Sequence, residues 1–484
     1  MSEAVRALAP QKLWNHFADL NAVPRPSKKE ERVIQFMVDF GQSLGLPTKT
    51  DAIGNIVIKK PATPGMEDRQ TLILQSHVDM VHQKNNDTVF DFDRQGIAML
   101  VDGDWVKAKG TTLGADNGIG VAAIMAVLSS EDIAHPAIEA MFTVDEETGM
   151  TGAKQLDPDN FEGSILLNLD TEDDDELSIG CAGGIDTNTH YTYRETDTPG
   201  GVKSVILNIK GLKGGHSGMD IDKGRGNANK LMNRLLHDAP MPIMVHEIDG
   251  GGLRNAIPRE SVAVVSVYET DEQAFADYVK KMADVFKSEY RPVEPHVHIE
   301  QQATETPHRC MHSEDQQRIL ACLYSLHNGV FKMSLHFNDL VETSSSMARV
   351  EIKKGVFTTQ SLQRSSVEST KKDVANTIKA AFVLLGAKVE QSGDYPGWEP
   401  KPDAPILHTM KTLYQDLFNE EPRVLACHAG LECGILGKHL PGVDMISFGP
   451  NIRHAHSPDE CCQISSVAKF WKFLLAILKD APKK

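Results

Sequence analysis

Thr71-Leu-Ile-Leu-Gln-Ser-His77-Val-Asp79 is an apolar run that ends in an imidazole and, two residues later, a carboxylate. Residues 71–76 lack the polar alternation of a half-exposed strand, so they read as a strand buried on both faces. The pattern recurs. Residues 137–144 form a second apolar run that stops at Asp145-Glu146-Glu147, and residues 163–169 a third that stops at Asp170. Between the first two lies an apolar helix, 118–129, opened by the turn Gly114-Ala-Asp116-Asn-Gly118. Apolar strands alternating with helices predict an α/β fold, a mainly parallel sheet covered by helices.

Upstream, residues 11–20 and 28–44 carry apolar residues at helical spacing, with Ser27 as N-cap of the second helix. Residues 55–58 read as a short strand, and 60–68, with two prolines and a glycine, as a loop. Downstream of Gly183-Gly184 the character changes. Residues 202–211, 259–268, 350–357 and 360–367 read as strands with one polar face. Residues 226–237, 272–289, 314–326 and 370–385 read as amphipathic helices. This recurrence suggests an inserted α+β domain of two related halves. A proline-rich linker at 394–402 follows, and the sheet-and-helix pattern then returns with a helix at 406–418, a strand at 442–448 and a helix at 465–478. The expected organisation is a first domain split into 1–184 and 398–484 around an insert at 185–397.

The chain has 484 residues, 40% hydrophobic and 24% charged, which is ordinary for globular domains. Its formal net charge of -17 repels phosphate backbones and anionic membrane surfaces, so neither nucleic acid nor membrane is expected as a partner. The first ten residues hold no secretory apolar segment, and no apolar run is long enough to span a bilayer. Seven cysteines, an odd number at spacings of no disulfide framework or zinc ribbon, read as buried reduced thiols. Together these features predict a cytoplasmic protein.

In open α/β sheets, ligands collect at the carboxyl ends of the strands. His77, Glu146, Glu147 and Asp170 each follow an apolar strand, Asp116 sits in a turn that opens a helix, and His456 follows the strand at 442–448. Two imidazoles and several carboxylates so placed predict a site for two divalent cations, which can generate hydroxide at neutral pH and cut amide bonds. Two such ions, about 3.5–4 Å apart, need a shared carboxylate. Asp116 is assigned as that bridge, His77 and Asp170 as ligands of one ion, and Glu147 and His456 as ligands of the other. Asp79 would orient His77 through its second ring nitrogen. Glu146, left unligated, would be the general base. Singly, His-x-Asp or Asp-Glu-Glu is a common surface coincidence; the force lies in the joint pattern.

The motifs Ser76-His-Val-Asp-Met80, Gly114-Ala-Asp-Asn-Gly118, Thr143-Val-Asp-Glu-Glu-Thr-Gly149, Asn168-Leu-Asp170 and His456-Ser-Pro-Asp-Glu460 occur in this order along the whole chain. They resemble the two-metal aminoacylase/carboxypeptidase/carnosinase family. The resemblance implies the roles just given and a cis peptide bond between Asp116 and Asn117. It further implies that the insert is a lid. His216, in Gly214-Gly-His-Ser-Gly218, would steady the tetrahedral intermediate. Asn255 would contact substrate, Arg364 would hold the substrate carboxylate, and Gly430, in His428-Ala-Gly-Leu-Glu432, would offer a backbone contact. The activity implied is that of a metallo-dipeptidase cleaving Xaa-His dipeptides, β-alanyl-histidine among them, with two zinc ions (cobalt or manganese being chemically suitable) and a homodimeric assembly.

Related hydrolases on the same scaffold, namely a tripeptidase, a carboxypeptidase or an N-acyl amino acid deacylase, share the metal chemistry. A serine hydrolase centred on Ser217 lacks the final glycine of the nucleophile elbow. A non-catalytic metal or peptide carrier would have no use for the base Glu146. The glycine spacing of residues 114–120 is wrong for a dinucleotide site.

Overall fold

The computed structural model describes residues 3–85 and 87–484. Two compact units emerge. The first takes the residues up to 180 together with 398–426 and 431–484; the second takes 181–397 and 427–430. The division differs from the sequence-based one at 181–184 and 427–430. Backbone pairing is the reason: the Ala182 N–H donates to the carbonyls of Cys427 (3.1 Å) and Ala429 (3.0 Å).

In the first unit, four strands run parallel: β1 (Leu72–His77), β2 (Ile138–Thr143), β3 (Ile165–Asn168) and β4 (Asp444–Ser447). Their order across the sheet is β2-β1-β3-β4. Every residue of β1, β2 and β3 is buried, as continuous apolar runs require when both sheet faces are covered. The edges are antiparallel. Ile56–Lys60 pairs with β2, and Glu176–Cys181 with β4. The sheet is therefore mixed around a parallel centre. One helix, α1 (Ala115–Leu128), is buried along almost its whole length and packs against both β1 and the helix Gln11–Asn21. Because β1 to β4 share a direction, their carboxyl ends lie along one edge, and the motif residues follow at that edge.

The helix expected from residue 28 begins at Glu31 instead. Ser27 does not cap it; its hydroxyl donates to the Met80 carbonyl at 3.2 Å.

The second unit is built from two β-α-β-β-α-β halves. One half comprises Val202–Lys210, helix Ala228–His237, Ile243–Gly251, Ser261–Tyr268, helix Glu272–Tyr290 and His298–Thr304. The other comprises Gly183–Thr192, helix Ser313–Ser325, Val341–Lys353, Val356–Ser365, helix Glu368–Leu385 and Lys388–Tyr395. Each half arranges its strands fourth-first-third-second. The halves meet antiparallel through their second strands, with Ile248 opposite Ile352. The strands expected at 350–357 and 360–367 are in fact a hairpin of 341–353 and 356–365, turning at Lys354 (φ 49°) and Gly355 (φ 76°). The polar run Thr343-Ser-Ser-Ser346 disguised the first of these. Its hydroxyls are buried, and two of them pair across the ladder, Thr343 Oγ1 with Ser365 Oγ at 2.9 Å and Ser345 Oγ with Gln363 Nε2 at 3.3 Å. Six of the seven cysteines are buried. Among the described residues, no helix is long and apolar enough to cross a membrane.

Candidate active site

His77 is the last residue of β1, and its ring is 1% exposed. Its Nδ1 lies 3.3 Å from Asp79 Oδ1, and its Nε2 3.2 Å from Asp116 Oδ1 and 3.5 Å from Asp170 Oδ1. Asp116 also reaches His456, whose Nε2 lies 3.1 Å from Asp116 Oδ2 and 3.1 Å from Glu147 Oε2. The side chains thus form three overlapping groups, His77-Asp116-Asp170, Asp116-Glu147-His456 and His77-Glu146-Glu147. Within each group the candidate ligand atoms lie within 4.8 Å of one another. Asp116 is the member common to the first two.

Local backbone explains the placement. Asp145 sits in the left-handed region (φ 53°), its carboxylate gripped by the Thr148 and Thr151 hydroxyls. The chain turns there into the helical turn Glu146–Gly149, so two adjacent glutamates face one site. Asp79 caps that turn, accepting the N–H groups of Glu146 (3.1 Å) and Glu147 (3.3 Å). The peptide bond between Asp116 and Asn117 is cis. Asn117 donates to the Leu169 carbonyl at 2.7 Å and to Asp170.

The electrostatics favour bound positive charge. Burial, then the negative charge of Asp170, Glu432 and Glu147, pushes the Glu146 carboxyl well up. Burial likewise raises Glu147 and Asp170. Hydrogen bonds that His456 donates to the Asp116 and Glu147 carboxylates push it up to about 11. Glu147 Oε1 is buried with no hydrogen-bond partner. Imidazole and carboxylate donors crowded in a low-dielectric pocket, one oxygen still unpaired, fit divalent cations.

Glu432 was not singled out as a functional residue in the sequence. It opens the helix α2 (Glu432–His439) and is 2% exposed. Its Oε2 accepts from Gln75 Nε2 (2.6 Å) and Thr143 Oγ1 (2.9 Å), side chains of β1 and β2 just before the candidate ligands. Burial pushes it up to about 7. The only hint in the sequence was Gln75, a polar residue inside an otherwise apolar run. Arg25 and Glu460, both buried, were also missed; Arg25 stands between two prolines with no periodicity around it.

The second unit brings His216, Arg364 and Tyr395 together. His216 Nδ1 accepts the N–H groups of Gly218 (3.2 Å) and Met219 (3.0 Å). The ring is held neutral by burial and by the charge of Arg364, so its proton sits on Nε2. Nε2 lies 3.4 Å from Arg364 Nη2. Two donors so placed suit anionic oxygen acceptors. Arg364 Nη1 also donates to Tyr395 OH at 2.9 Å. Gly430 abuts the Tyr395 ring, since a Cβ there would meet ring carbon at 3.0 Å. The Asn255 carbonyl accepts from Ser217 N–H at 2.8 Å, tying that segment to the His216 loop.

His428 is buried, with Nε2 2.7 Å from Ser344 Oγ. Burial and the charge of Arg364 lower its pKa to about 3. Below pH 6.5 the unfolded chain takes up a proton here that the folded chain refuses, so stability falls as the pH drops from about 6.5 towards 3. By pH 5 this residue costs about 2 kcal/mol of stability relative to neutral pH. His428→Asn is expected to flatten that limb. Urea-unfolding midpoints of both proteins at pH 7.5 and pH 5 measure the difference, and equal losses in the two would refute it.

A parallel sheet carrying imidazoles and clustered carboxylates along its carboxyl edge is a candidate hydrolytic metal centre. Residues 73–480 match the model of peptidase family M20/M25/M40, and the chain belongs to that family. It is 40% identical to the cytosol non-specific dipeptidase of Escherichia coli (strain K12) over 486 aligned residues, covering 100% of both chains. The crystal structure of aminoacylhistidine dipeptidase from Vibrio alginolyticus superposes with a TM-score of 0.96 at 41% identity, covering 100% of both. Aminopeptidase PepT from Bacillus cereus ATCC 10987 shares the fold, with a TM-score of 0.56 at 16% identity over 98% of this chain and 99% of that one.

Proposed function

We propose that this chain is a cytosolic metallo-dipeptidase that cleaves Xaa-His dipeptides, β-alanyl-histidine among them. One observation carries the hydrolytic reading: two imidazoles and three carboxylates form two groups sharing Asp116, with a further carboxylate, Glu146, beside them. The dipeptide class draws support from the two full-length relatives, both named as dipeptidases. The preference for a C-terminal histidine draws on the Vibrio relative alone, since the Escherichia relative is named non-specific.

His77, Asp116 and Asp170 would hold one divalent cation, and Asp116, Glu147 and His456 the other. Zinc fits imidazole and carboxylate donors, as do cobalt and manganese. Such a pair supplies water acidification and polarisation of the scissile carbonyl. Glu146 accepts the proton of the attacking water and delivers it to the leaving amine. Its raised pKa suits both halves of that task. Asp79 fixes the His77 ring through Nδ1. In the lid, residues 185–397, the Nε2–H of His216 donates to the developing oxyanion. Arg364 grips the free carboxylate one residue past the cut, which restricts substrates to short peptides. Asn255 and Gly430 contact the substrate backbone.

A panel of Xaa-Yaa dipeptides, tripeptides and N-acyl amino acids, assayed with and without added zinc, tests this reading. Xaa-His dipeptides are expected to be cleaved fastest, and tripeptides about 100-fold slower, through loss of the Arg364 contact. Equal turnover of N-acyl amino acids would point to a deacylase. Equal turnover of dipeptides ending in other residues would point to a broad dipeptidase. The assembly is proposed to be a homodimer, giving about twice 53.2 kDa by light scattering.

A further inference from the structure

Glu460 lies four residues beyond His456 and is 2% exposed. Its two carboxylate oxygens accept four successive backbone N–H groups. Oε2 takes those of Leu113 (2.7 Å) and Gly114 (2.9 Å); Oε1 takes those of Ala115 (2.7 Å) and Asp116 (3.3 Å). Arg25, 1% exposed, faces the same turn from its carbonyl side. Its Nη2 donates to the Gly114 carbonyl at 2.6 Å and to Asn21 Oδ1 at 3.0 Å. Its Nη1 donates to the carbonyls of Val78 (3.1 Å) and Asp79 (3.0 Å), the two residues after His77.

The Gly114 peptide unit is thus held at both ends, its N–H by a carboxylate and its C=O by a guanidinium. Glycine is required there. Its φ is 68°, and a Cβ would meet Arg25 Nη2 at 2.5 Å; at Gly118 a Cβ would meet the same atom at 2.7 Å. The two charges connect three segments from remote parts of the chain. Arg25 links the His77 segment to the Asp116 turn, and Glu460 links the His456 segment to the same turn.

Bulk stability does not explain the arrangement. Taking both charges out of water is costly, and apolar side chains of similar volume commonly match or exceed the stability such buried charges give. What a planar fork and a bidentate carboxylate do add is a fixed geometry for the backbone they hold.

We propose that Arg25 and Glu460 are positioning residues of the metal centre. They set the turn bearing the shared carboxylate Asp116 relative to His77 and His456, and so set the spacing at which two cations are held. This rests on the two-cation reading above.

The test uses the full chain, wild type beside Glu460→Gln and Arg25→Lys. Glutamine presents an NH₂ to two of the four backbone donors, and lysine keeps the charge but loses the fork. Zinc is titrated into the apo proteins against a chromophoric chelator, with circular dichroism and thermal melting recording the fold. Wild type is expected to bind two zinc ions. Each variant is expected to keep its fold, to bind the weaker zinc 10- to 100-fold less tightly, and to show a lower kcat at saturating zinc with KM changed less than about twofold. Wild-type zinc affinity and wild-type kcat in both variants overturn the inference. So does loss of fold in both, which would make the pair a folding element. A wild-type titration finding fewer than two zinc ions overturns the underlying reading instead.

Discussion

Glu146→Ala is expected to retain two divalent cations per chain and to lose about 1,000-fold or more in kcat on a dipeptide. The retention follows from geometry. Glu146 stands outside the two groups that share Asp116, beside His77 and Glu147, so its removal leaves both proposed ligand sets intact. The loss follows from the proton transfer. Attack by water on an amide needs a base at the moment the oxygen bonds, and an acid when the amine departs. A carboxyl whose pKa burial and three neighbouring carboxylates have raised can serve as both. Alanine removes the group while the backbone N–H of residue 146 still donates to Asp79. Metal content by mass spectrometry and steady-state kinetics on the same sample separate the two effects. A variant with full metal and normal turnover would remove Glu146 from its role.

Asp116→Ala is expected to release both cations and to bring activity below detection, a fall of at least about 10,000-fold. Asp116 pairs closely with both imidazoles, its Oδ1 3.2 Å from His77 Nε2 and its Oδ2 3.1 Å from His456 Nε2. Removing it takes a ligand from each group and the negative charge that would separate two dications. Asp170→Ala makes the control, because Asp170 belongs to one group only. That variant should lose one cation and keep the other. An Asp116→Ala protein that still holds two cations at wild-type affinity would eliminate the shared-ligand reading.

Much of the first unit was legible because its signals are local. A strand buried on both faces is mostly apolar, and β1, β2 and β3 are, Gln75 and Glu139 being polar residues in their interiors. Parallel strands put their carboxyl ends on one edge, so a titratable residue directly after each run marks that edge. The second unit was harder. Thr343-Ser-Ser-Ser346 has the composition of a loop, and only pairing with Ser365 and Gln363 makes it strand interior. Gly183–Thr192 is separated from its own half by the whole of the other, so its partners could not be inferred from neighbours in the chain.

What the sequence determined by itself was which titratable residues end the apolar runs and in what order they come, since such runs and the residues that end them depend only on near neighbours. The tertiary structure alone decided how remote segments hold one another: Arg25 and Glu460 on the Gly114 peptide, Glu432 beneath β1 and β2, and His216 against Arg364. Arg25, Glu460 and Glu432 are buried charged groups whose desolvation must be offset by a partner, and these partners lie 89 to 357 residues away. No periodicity in a chain records such a pairing, because it exists only once the fold has brought the two groups out of water together.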